Sequence, residues 1–185
     1  MVNPRTRFFG GLGALILAGT FVPAPLTVPT AADGAVTLVA DINLQPPAAA
    51  TPSEVAGFGG TVIYAGEETV HGKELWKVDP VSREGVFVRD IRPGGQSSSP
   101  ADITVAGALA HFVADDGVHG RELWKTDGTS GGTTIVKDIN PGTSGSGPVR
   151  LVNVGGTLYL EANDGVHGRE LCAVRRMQIS YGTET

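Results

Sequence analysis

Three of the four histidines recur along the chain at a constant spacing, and each is followed three residues later by a glutamate. The pairs are His71 and Glu74, His119 and Glu122, and His167 and Glu170. Imidazole nitrogens and carboxylate oxygens are ligands for divalent transition metals. The same loops contain acidic residues whose oxygens suit Ca²⁺, namely Glu67, Glu68, Asp115, Asp116 and Asp164. A set of repeated loops that binds a divalent cation is therefore one chemistry that this pattern can support.

The alternative is that these side chains stabilise a turn and recur because the turn was copied with the rest of a repeat. Equivalent residues of neighbouring units need not converge on one point. The sequence contains no His-Glu-x-x-His motif, no EF-hand loop and no Cys/His cluster that would indicate a metal site. We predict that the His and Glu side chains fix the turn by hydrogen bonds to the backbone, and we assign no metal ligand and no cofactor.

No set of residues typical of catalysis is present in the sequence. There is no Gly-x-Ser-x-Gly elbow, and serines cluster at residues 97–99, a composition typical of a solvated turn. The glycine pairs at 94–95 and 131–132 lack the Lys-Ser/Thr or helix start of a phosphate-binding loop. Paired carboxylates for glycoside hydrolysis depend on their spatial separation, which a sequence does not give. We therefore predict a protein that is not an enzyme, with no catalytic residue.

The chain contains an internal repeat of 48 residues, and the strands and turns of this repeat position the side chains described above. The recurring segments that contain the histidines are residues 70–76, 118–124 and 166–172. A second recurring element is the dipeptide Asp-Ile at 90–91 and 138–139. It also occurs at 41–42, one residue before the position that the 48-residue spacing predicts. Tandem duplication of one unit explains this pattern.

Each unit contains four runs of strand length, separated by Asp-Gly and Gly-rich turns. In the second unit the runs are residues 102–106, 109–114, 122–126 and 133–139. Gly accepts a positive φ at little cost, so such turns favour hairpins, and no sustained 3.6-residue period follows the N-terminal segment. We predict an all-β fold of tandem four-stranded antiparallel meanders, each the size of a β-propeller blade. Trp76 and Trp124 would lie on third strands and face the next sheet.

The N-terminal segment has the features of a secretory signal peptide. Arg5 and Arg7 precede an apolar stretch at residues 8–22, and small residues at 30–32 suit cleavage. The stretch is shorter than the ~20 residues that span a bilayer, so we predict a secreted protein without a stable membrane span after cleavage. The predicted domains are a signal peptide at residues 1–32 and a repeat domain at 33–185, divided into a lone strand at 36–42 and units at about 43–90, 91–138 and 139–185.

The net charge argues against nucleic acid as a partner, and the single cysteine excludes a disulfide within the chain. The formal net charge is −5, and an acidic chain without a basic stripe is a poor candidate for binding nucleic acid, whose phosphates must be neutralised. Cys172 is the single cysteine, so no intramolecular disulfide can form. We predict a buried or incidental thiol, and the alternative is a bridge between two chains.

The repeated motif resembles that of the ELWxxDGT repeat proteins, a family of secreted bacterial proteins. Residues 122–129 contain the whole signature, and residues 74–79 keep it up to the aspartate, with Pro80 and Val81 in place of Gly-Thr. The third unit keeps Glu-Leu and has Cys172 in place of the tryptophan. The resemblance implies a propeller-like all-β fold outside the cytoplasm. It implies no defined reaction, so no active-site residue is carried over.

After Leu171 the sequence no longer follows the repeat. Two interpretations remain open: the chain is a fragment of a longer repeat protein, or residues 177–182 supply a replacement fourth strand. Propellers usually have four to eight blades, so three units predict a partial, incomplete propeller whose exposed faces and edges favour association. A cyclic homo-oligomer and an open stack are both compatible with the sequence.

We predict a non-enzymatic secreted repeat protein that acts as a scaffold for extracellular or cell-surface binding or adhesion. Loops at one end of the units would form the binding surface, and the partner would be an extracellular protein or a glycan. Two alternatives remain. One is a secreted carbohydrate-binding or carbohydrate-active module that uses Asp and Glu of the repeated loops, and the other is a truncated fragment without a function of its own.

Overall fold

Three antiparallel sheets make up the part of the chain that the computed structural model describes, residues 52–175 and 178–181. Sheet 1 contains β1 (Ser53–Phe58), β2 (Thr61–Glu68), β3 (Gly72–Val78) and β4 (Gly85–Arg89). Sheet 2 contains β5 (Ala101–Ala106), β6 (Leu109–Asp115), β7 (Arg121–Thr126) and β8 (Thr134–Lys137). Sheet 3 contains β9 (Val149–Val154), β10 (Thr157–Asn163), β11 (Arg169–Arg175) and β12 (Gln178–Tyr181). Strands that are consecutive in sequence are neighbours in their sheet, so each sheet is a four-stranded meander.

The predicted all-β class is confirmed for the described residues, and so is the succession of four-stranded antiparallel meanders. The signal peptide predicted at 1–32 and the lone strand predicted at 36–42 lie outside these residues. Within them, no helix has the length and apolar character needed to cross a membrane. The fourth strand of sheet 3 is β12, which pairs antiparallel with β11, in agreement with the interpretation that residues 177–182 supply a replacement strand.

The strand ends of sheet 2 agree with the sequence prediction to within one residue, except at β8. This strand covers Thr134–Lys137 and not the predicted 133–139. Thr133 belongs to the preceding turn, where its N–H donates to the carbonyl of Ser130 at 3.3 Å. Ile139 leaves the sheet because its N–H donates to the carboxylate of Glu122 at 3.3 Å. Hydrogen bonds outside the sheet therefore set both ends of β8.

Apolar side chains of adjacent sheets form two core clusters. The cluster between sheets 1 and 2 includes Ile63, Leu75, Phe112 and Trp124. The cluster between sheets 2 and 3 includes Leu123, Ile139, Leu158, Leu160 and Cys172. Sheet 2 contributes to both clusters because successive residues of a strand point to opposite faces. Sheets 1 and 3 each keep one face that no described sheet covers.

The tryptophans lie on third strands, as predicted, but the predicted direction was wrong. Trp124 faces the preceding sheet, where it packs in one cluster with Leu75. Trp76 lies on the opposite face of sheet 1 from Leu75, and its cross-strand partners are Tyr64 and Phe87. The leucine and the tryptophan of the repeated motif are both apolar, so the sequence places them on opposite faces without indicating which face meets which sheet.

The first strands of the three sheets contact one another in order. The N–H of Asp102 donates to Glu54 Oε2 at 3.1 Å, and the side-chain amide of Asn153 donates to the Val105 carbonyl at 2.8 Å. The second residue of each first strand has a positive φ, of 54° at Glu54, 55° at Asp102 and 58° at Arg150. A left-handed residue at the same place in every unit is typical of a β-bulge, and it distorts the beginning of each first strand.

Candidate functional site

The glutamate of each repeat lies on a third strand. In sheet 1, Glu74 on β3 is fully buried. Its Oε1 accepts a hydrogen bond from the N–H of Ser98 at 2.8 Å. Its Oε2 accepts hydrogen bonds from the Ser98 hydroxyl at 2.6 Å and from the N–H of Ile91 at 3.0 Å. One carboxylate therefore binds both ends of the first connecting loop, which we define as residues 90–100.

Sheet 2 repeats this arrangement with Glu122 and the second connecting loop, residues 138–148. Glu122 is fully buried and accepts hydrogen bonds from the N–H of Ser146 at 2.7 Å and from its hydroxyl at 2.5 Å. The N–H groups of Ile139 and Asn140 donate to the same carboxylate, each at 3.3 Å. Burial raises the pKa of Glu122, as it does that of its counterpart in sheet 1, and the hydrogen bonds offset part of this rise. The same carboxylate–loop contact thus occurs in two sheets.

Each connecting loop also binds the sheet that follows it. The carbonyl of Ser98 accepts a hydrogen bond from the N–H of Asp115, and the carbonyl of Ser146 accepts one from the N–H of Asn163, both at 3.0 Å. The second loop passes so close to the hairpin between β6 and β7 that a Cβ atom on Gly120 would lie 2.6 Å from the Thr143 carbonyl oxygen. The loop therefore links two sheets rather than only joining their strands.

Two predictions about polar residues need correction here. The serines at residues 97–99 were predicted to form a solvated turn, but Ser98 is fully buried and Ser97 Oγ accepts a hydrogen bond from the N–H of Lys73 at 2.9 Å. The glutamates bind the connecting loop and not the turn that contains the histidine. A signal for this contact exists in the sequence, because a serine follows the glutamate by 24 residues in both contacts.

The repeated histidines pair with the acidic residue three positions earlier. The pairs are His71 with Glu68, His119 with Asp116 at 2.7 Å, and His167 with Asp164 at 2.8 Å. The aspartate fixes the turn, because Asp164 Oδ1 accepts hydrogen bonds from the N–H groups of Val166 at 2.9 Å and His167 at 2.8 Å. These bonds lower the pKa of Asp164, and the contact with its carboxylate raises the pKa of His167. The predicted backbone-fixing role thus belongs to the aspartate, and the imidazole binds its carboxylate.

Sheet 3 brings a histidine and two carboxylates together. One ligand atom from each of Asp164, His167 and Glu170 lies within 4.8 Å of the other two, and the described residues contain no second group of this kind. Glu170 is half-buried. These three side chains offer one nitrogen and two oxygen ligands, a combination that suits a divalent cation. In sheets 1 and 2 the corresponding glutamate is occupied by its connecting loop.

A cleft lies at the opposite end of sheets 1 and 2, between the turns that follow first and third strands. Its lining includes Phe58, Lys77, Asp79, Asp127 and Gly128. Lys77 Nζ donates to the carbonyl of Gly128 at 2.9 Å. Hydrogen bonds from the backbone of residues 81–82 lower the pKa of Asp79, and those from the hydroxyl and N–H of residue 129 lower the pKa of Asp127. Both carboxylates are therefore ionised at neutral pH.

Cys172 lies on β11 at the position that a tryptophan occupies in the other two units. Its side chain is fully buried in the cluster between sheets 2 and 3, which agrees with the prediction of a buried thiol. Burial raises the pKa of the Cys172 thiol. The thiolate that would react with an oxidant or with a second thiol is therefore disfavoured.

Comparisons of this chain with protein-family models, with curated proteins and with solved structures found no match. The resemblance to the ELWxxDGT repeat proteins stays a prediction that rests on the motif at residues 122–129.

Proposed function

We propose that this protein is a non-enzymatic, extracellular repeat protein whose sheets form a partial, propeller-like scaffold for binding. The observation that carries the proposal is that the repeated acidic side chains accept hydrogen bonds from the backbone of their own chain. Glu74 and Glu122 are buried and bind connecting loops, while Asp116 and Asp164 fix turns. Carboxylates that are occupied by the backbone of their own chain support a structural repeat rather than a catalytic site.

Contacts between first strands support the propeller-like arrangement. Blades that lie radially around a channel bring one edge strand of each blade next to the same strand of its neighbours. The hydrogen bonds from Asp102 to Glu54 and from Asn153 to Val105 join first strands in this way. The third and fourth strands would then lie toward the outside, and the turns at one end of the sheets would form a common surface.

We place the binding surface in the cleft that contains Phe58, Lys77 and Asp127. Ligand sites are concave, with apolar walls and a few polar groups that fix orientation, and this cleft combines an aromatic ring with an ammonium group and ionised carboxylates. The lowered pKa values of Asp79 and Asp127 favour binding over hydrolysis. A glycosidase needs one carboxyl group with a raised pKa to protonate the leaving group.

A panel of immobilised neutral and acidic oligosaccharides tests this proposal. Phe58→Ala should lower binding at least tenfold, while the matched control Val118→Ala, at an exposed position of the opposite end, should leave binding unchanged. Equal binding by Phe58→Ala and the unmodified chain would show that the cleft is not the binding surface. Release of new reducing ends from any oligosaccharide would overturn the non-enzymatic assignment.

Export is tested separately by the mass of the protein recovered from the medium of a secreting host. Loss of residues 1–32 from that mass is the expected result. Recovery of the unprocessed chain only inside the cells would contradict an extracellular location.

A further inference from the structure

Two of the three motif glutamates bind a connecting loop, whereas Glu170 binds no loop in the described part of the chain. Glu74 and Glu122 are fully buried under residues 90–100 and 138–148. Glu170 occupies the same position in sheet 3, but it is half-buried, and no described residue donates a hydrogen bond to its carboxylate. Sheet 3 therefore presents a carboxylate whose partner is missing from the described part of the chain.

One glycine in the hairpin between the second and third strands of each sheet also distinguishes sheet 3 from sheets 1 and 2. These hairpin glycines are Gly72, Gly120 and Gly168. A Cβ atom on Gly72 would lie 2.8 Å from Ser97 Oγ, and one on Gly120 would lie 2.6 Å from the carbonyl oxygen of Thr143. On Gly168, the equivalent residue of sheet 3, a Cβ atom would meet no described atom within 4 Å. Among the described residues, none fills the space beside Gly168 that a connecting loop fills in the first two units.

The face of sheet 3 next to this space is apolar and exposed. Leu171 is 63% exposed, whereas its equivalents Leu75 and Leu123 are 0% exposed in the two core clusters. Val154 is 59% exposed, whereas its equivalent Ala106 is 8% exposed and packs against sheet 3. Side chains that are buried between sheets in the first two units are in contact with solvent here. This face thus has the composition of a sheet–sheet contact without the second sheet.

The sequence contains one more copy of the connecting loop. Residues 41–52 begin with Asp-Ile and end with the proline before β1, as residues 90–100 and 138–148 do before β5 and β9. This N-terminal loop segment is one residue longer, and Ala50 replaces the serine of the other two loops, so backbone donors are kept and one hydroxyl donor is lost. Because the other two motif glutamates already bind their own loops, Glu170 is the matching carboxylate for this segment.

We propose that the outer face of sheet 3 is the docking surface for a second copy of this chain. The second copy brings its N-terminal loop segment to Glu170 and places the outer face of its sheet 1 against Leu171. Trp76 of the incoming copy then packs on Leu171 as Trp124 packs in one cluster with Leu75 within the chain. The two surfaces differ, so the contact is head-to-tail, and further copies close a ring or extend an open stack.

Light scattering after size exclusion tests this proposal on the processed chain that is recovered from the medium of a secreting host. Concentrations up to about 100 µM detect weak specific contacts. We expect multiples of the mass of that chain. Leu171→Asp should weaken association at least 100-fold because it places a charge in an apolar contact. Val118→Asp, at a position that is 62% exposed, is the matched control and should associate normally. A monomer at every concentration, or normal association of Leu171→Asp, would overturn the proposal.

A mixing experiment tests the head-to-tail geometry. Ile42→Asp should block the loop side of the contact, since the equivalent Ile91 and Ile139 are both 4% exposed, and Leu171→Asp blocks the sheet side. Each variant alone should be monomeric, and an equimolar mixture should form a dimer, because one intact contact remains between an unmodified sheet 3 and an unmodified loop. A mixture that stays monomeric would overturn the proposal.

The group of Asp164, His167 and Glu170 offers a divalent cation as the competing occupant. Association should be unchanged when EDTA is added, because the docked loop and not a cation occupies Glu170. If EDTA abolished association, a cation would be the occupant of Glu170 and the docking proposal would be wrong. Both results are independent of whether the cleft at Phe58 binds a glycan.

Discussion

Replacing Glu122 with alanine tests whether the carboxylate–loop contact holds sheets 2 and 3 together. The substitution removes the acceptor for two donors of Ser146 and for the N–H groups of Ile139 and Asn140. A buried donor without a partner costs about 1–3 kcal/mol. The hydroxyl of Ser146 can rotate to another acceptor and Asn140 is half-buried, so the N–H groups of Ser146 and Ile139 dominate the loss.

These two N–H groups give a loss of about 2–6 kcal/mol, and removal of a buried charge that is disfavoured by desolvation offsets part of it. We expect Glu122→Ala to lower the free energy of unfolding by about 2–4 kcal/mol, a large share of the ~5–15 kcal/mol that is typical of a domain. Glu122→Gln keeps one acceptor oxygen and should fall between the alanine variant and the unmodified chain.

Urea unfolding followed by tryptophan fluorescence measures this loss, since Trp76 lies in sheet 1 and Trp124 in sheet 2. The matched control is Glu170→Ala, because the same residue type at the same position of sheet 3 has no described donor. It should change the free energy of unfolding by no more than about 0.5 kcal/mol. Both substitutions are made in the Leu171→Asp background to exclude effects of association. Equal losses for the two variants would refute the argument that the connecting loop creates the difference.

Three further predictions concern the histidines, the hairpin glycines and the cysteine. In an NMR titration, the pKa of His167 should lie above about 6.5, because Asp164 stabilises the His167 imidazolium. The pKa of His111, which is buried on β6, should lie below this value, because desolvation disfavours the His111 imidazolium. Asp164→Asn should lower the pKa of His167, and the His167 contribution to stability should be complete below about pH 6.5 and lost as the pH rises through the raised folded-state pKa. In urea unfolding, Gly120→Ala should destabilise the fold more than Gly168→Ala. Both glycines have a positive φ, which costs about 1–2 kcal/mol for a residue with a Cβ. Only at Gly120 would the new Cβ atom also lie 2.6 Å from the Thr143 carbonyl oxygen. Equal losses would show that the loop moves away freely. Cys172 should react with an aromatic disulfide reagent only after unfolding, since its side chain is 0% exposed, and rapid reaction of the folded chain would contradict the burial.

The repeat made most of the fold predictable from the sequence. The 48-residue step, the Gly-rich turns and the absence of a helical period led to four-stranded meanders, and the predicted ends of three of the four strands in sheet 2 were correct to within one residue. The direction of Trp124 was not predictable, because alternation separates two faces without assigning either to a neighbour. The early end of β8 was also missed, because it depends on a hydrogen bond between Ile139 and a glutamate 17 residues away.

The site was predicted less well than the fold, and the reason is the range of the contacts. The repeated His-Glu spacing suggested one local turn, whereas Glu74 binds Ser98 across 24 residues and His119 binds Asp116 across three. Local composition also suggested that the serines at 97–99 are solvated. A buried carboxylate changes this expectation, because it recruits hydroxyl and N–H donors into the interior.

The bonding of Ser98 has a consequence for how the chain unfolds. Its N–H and hydroxyl bind Glu74 in sheet 1, and its carbonyl binds Asp115 in sheet 2. Release of this one residue therefore breaks hydrogen bonds to both neighbouring sheets at once. Sheets 1 and 2 are thus not separated by a loop that can open without loss of contacts. Neighbouring repeats should then melt as one cooperative block rather than one after another. Under mechanical pulling, such a chain should show few large extension events in place of a regular series of small ones.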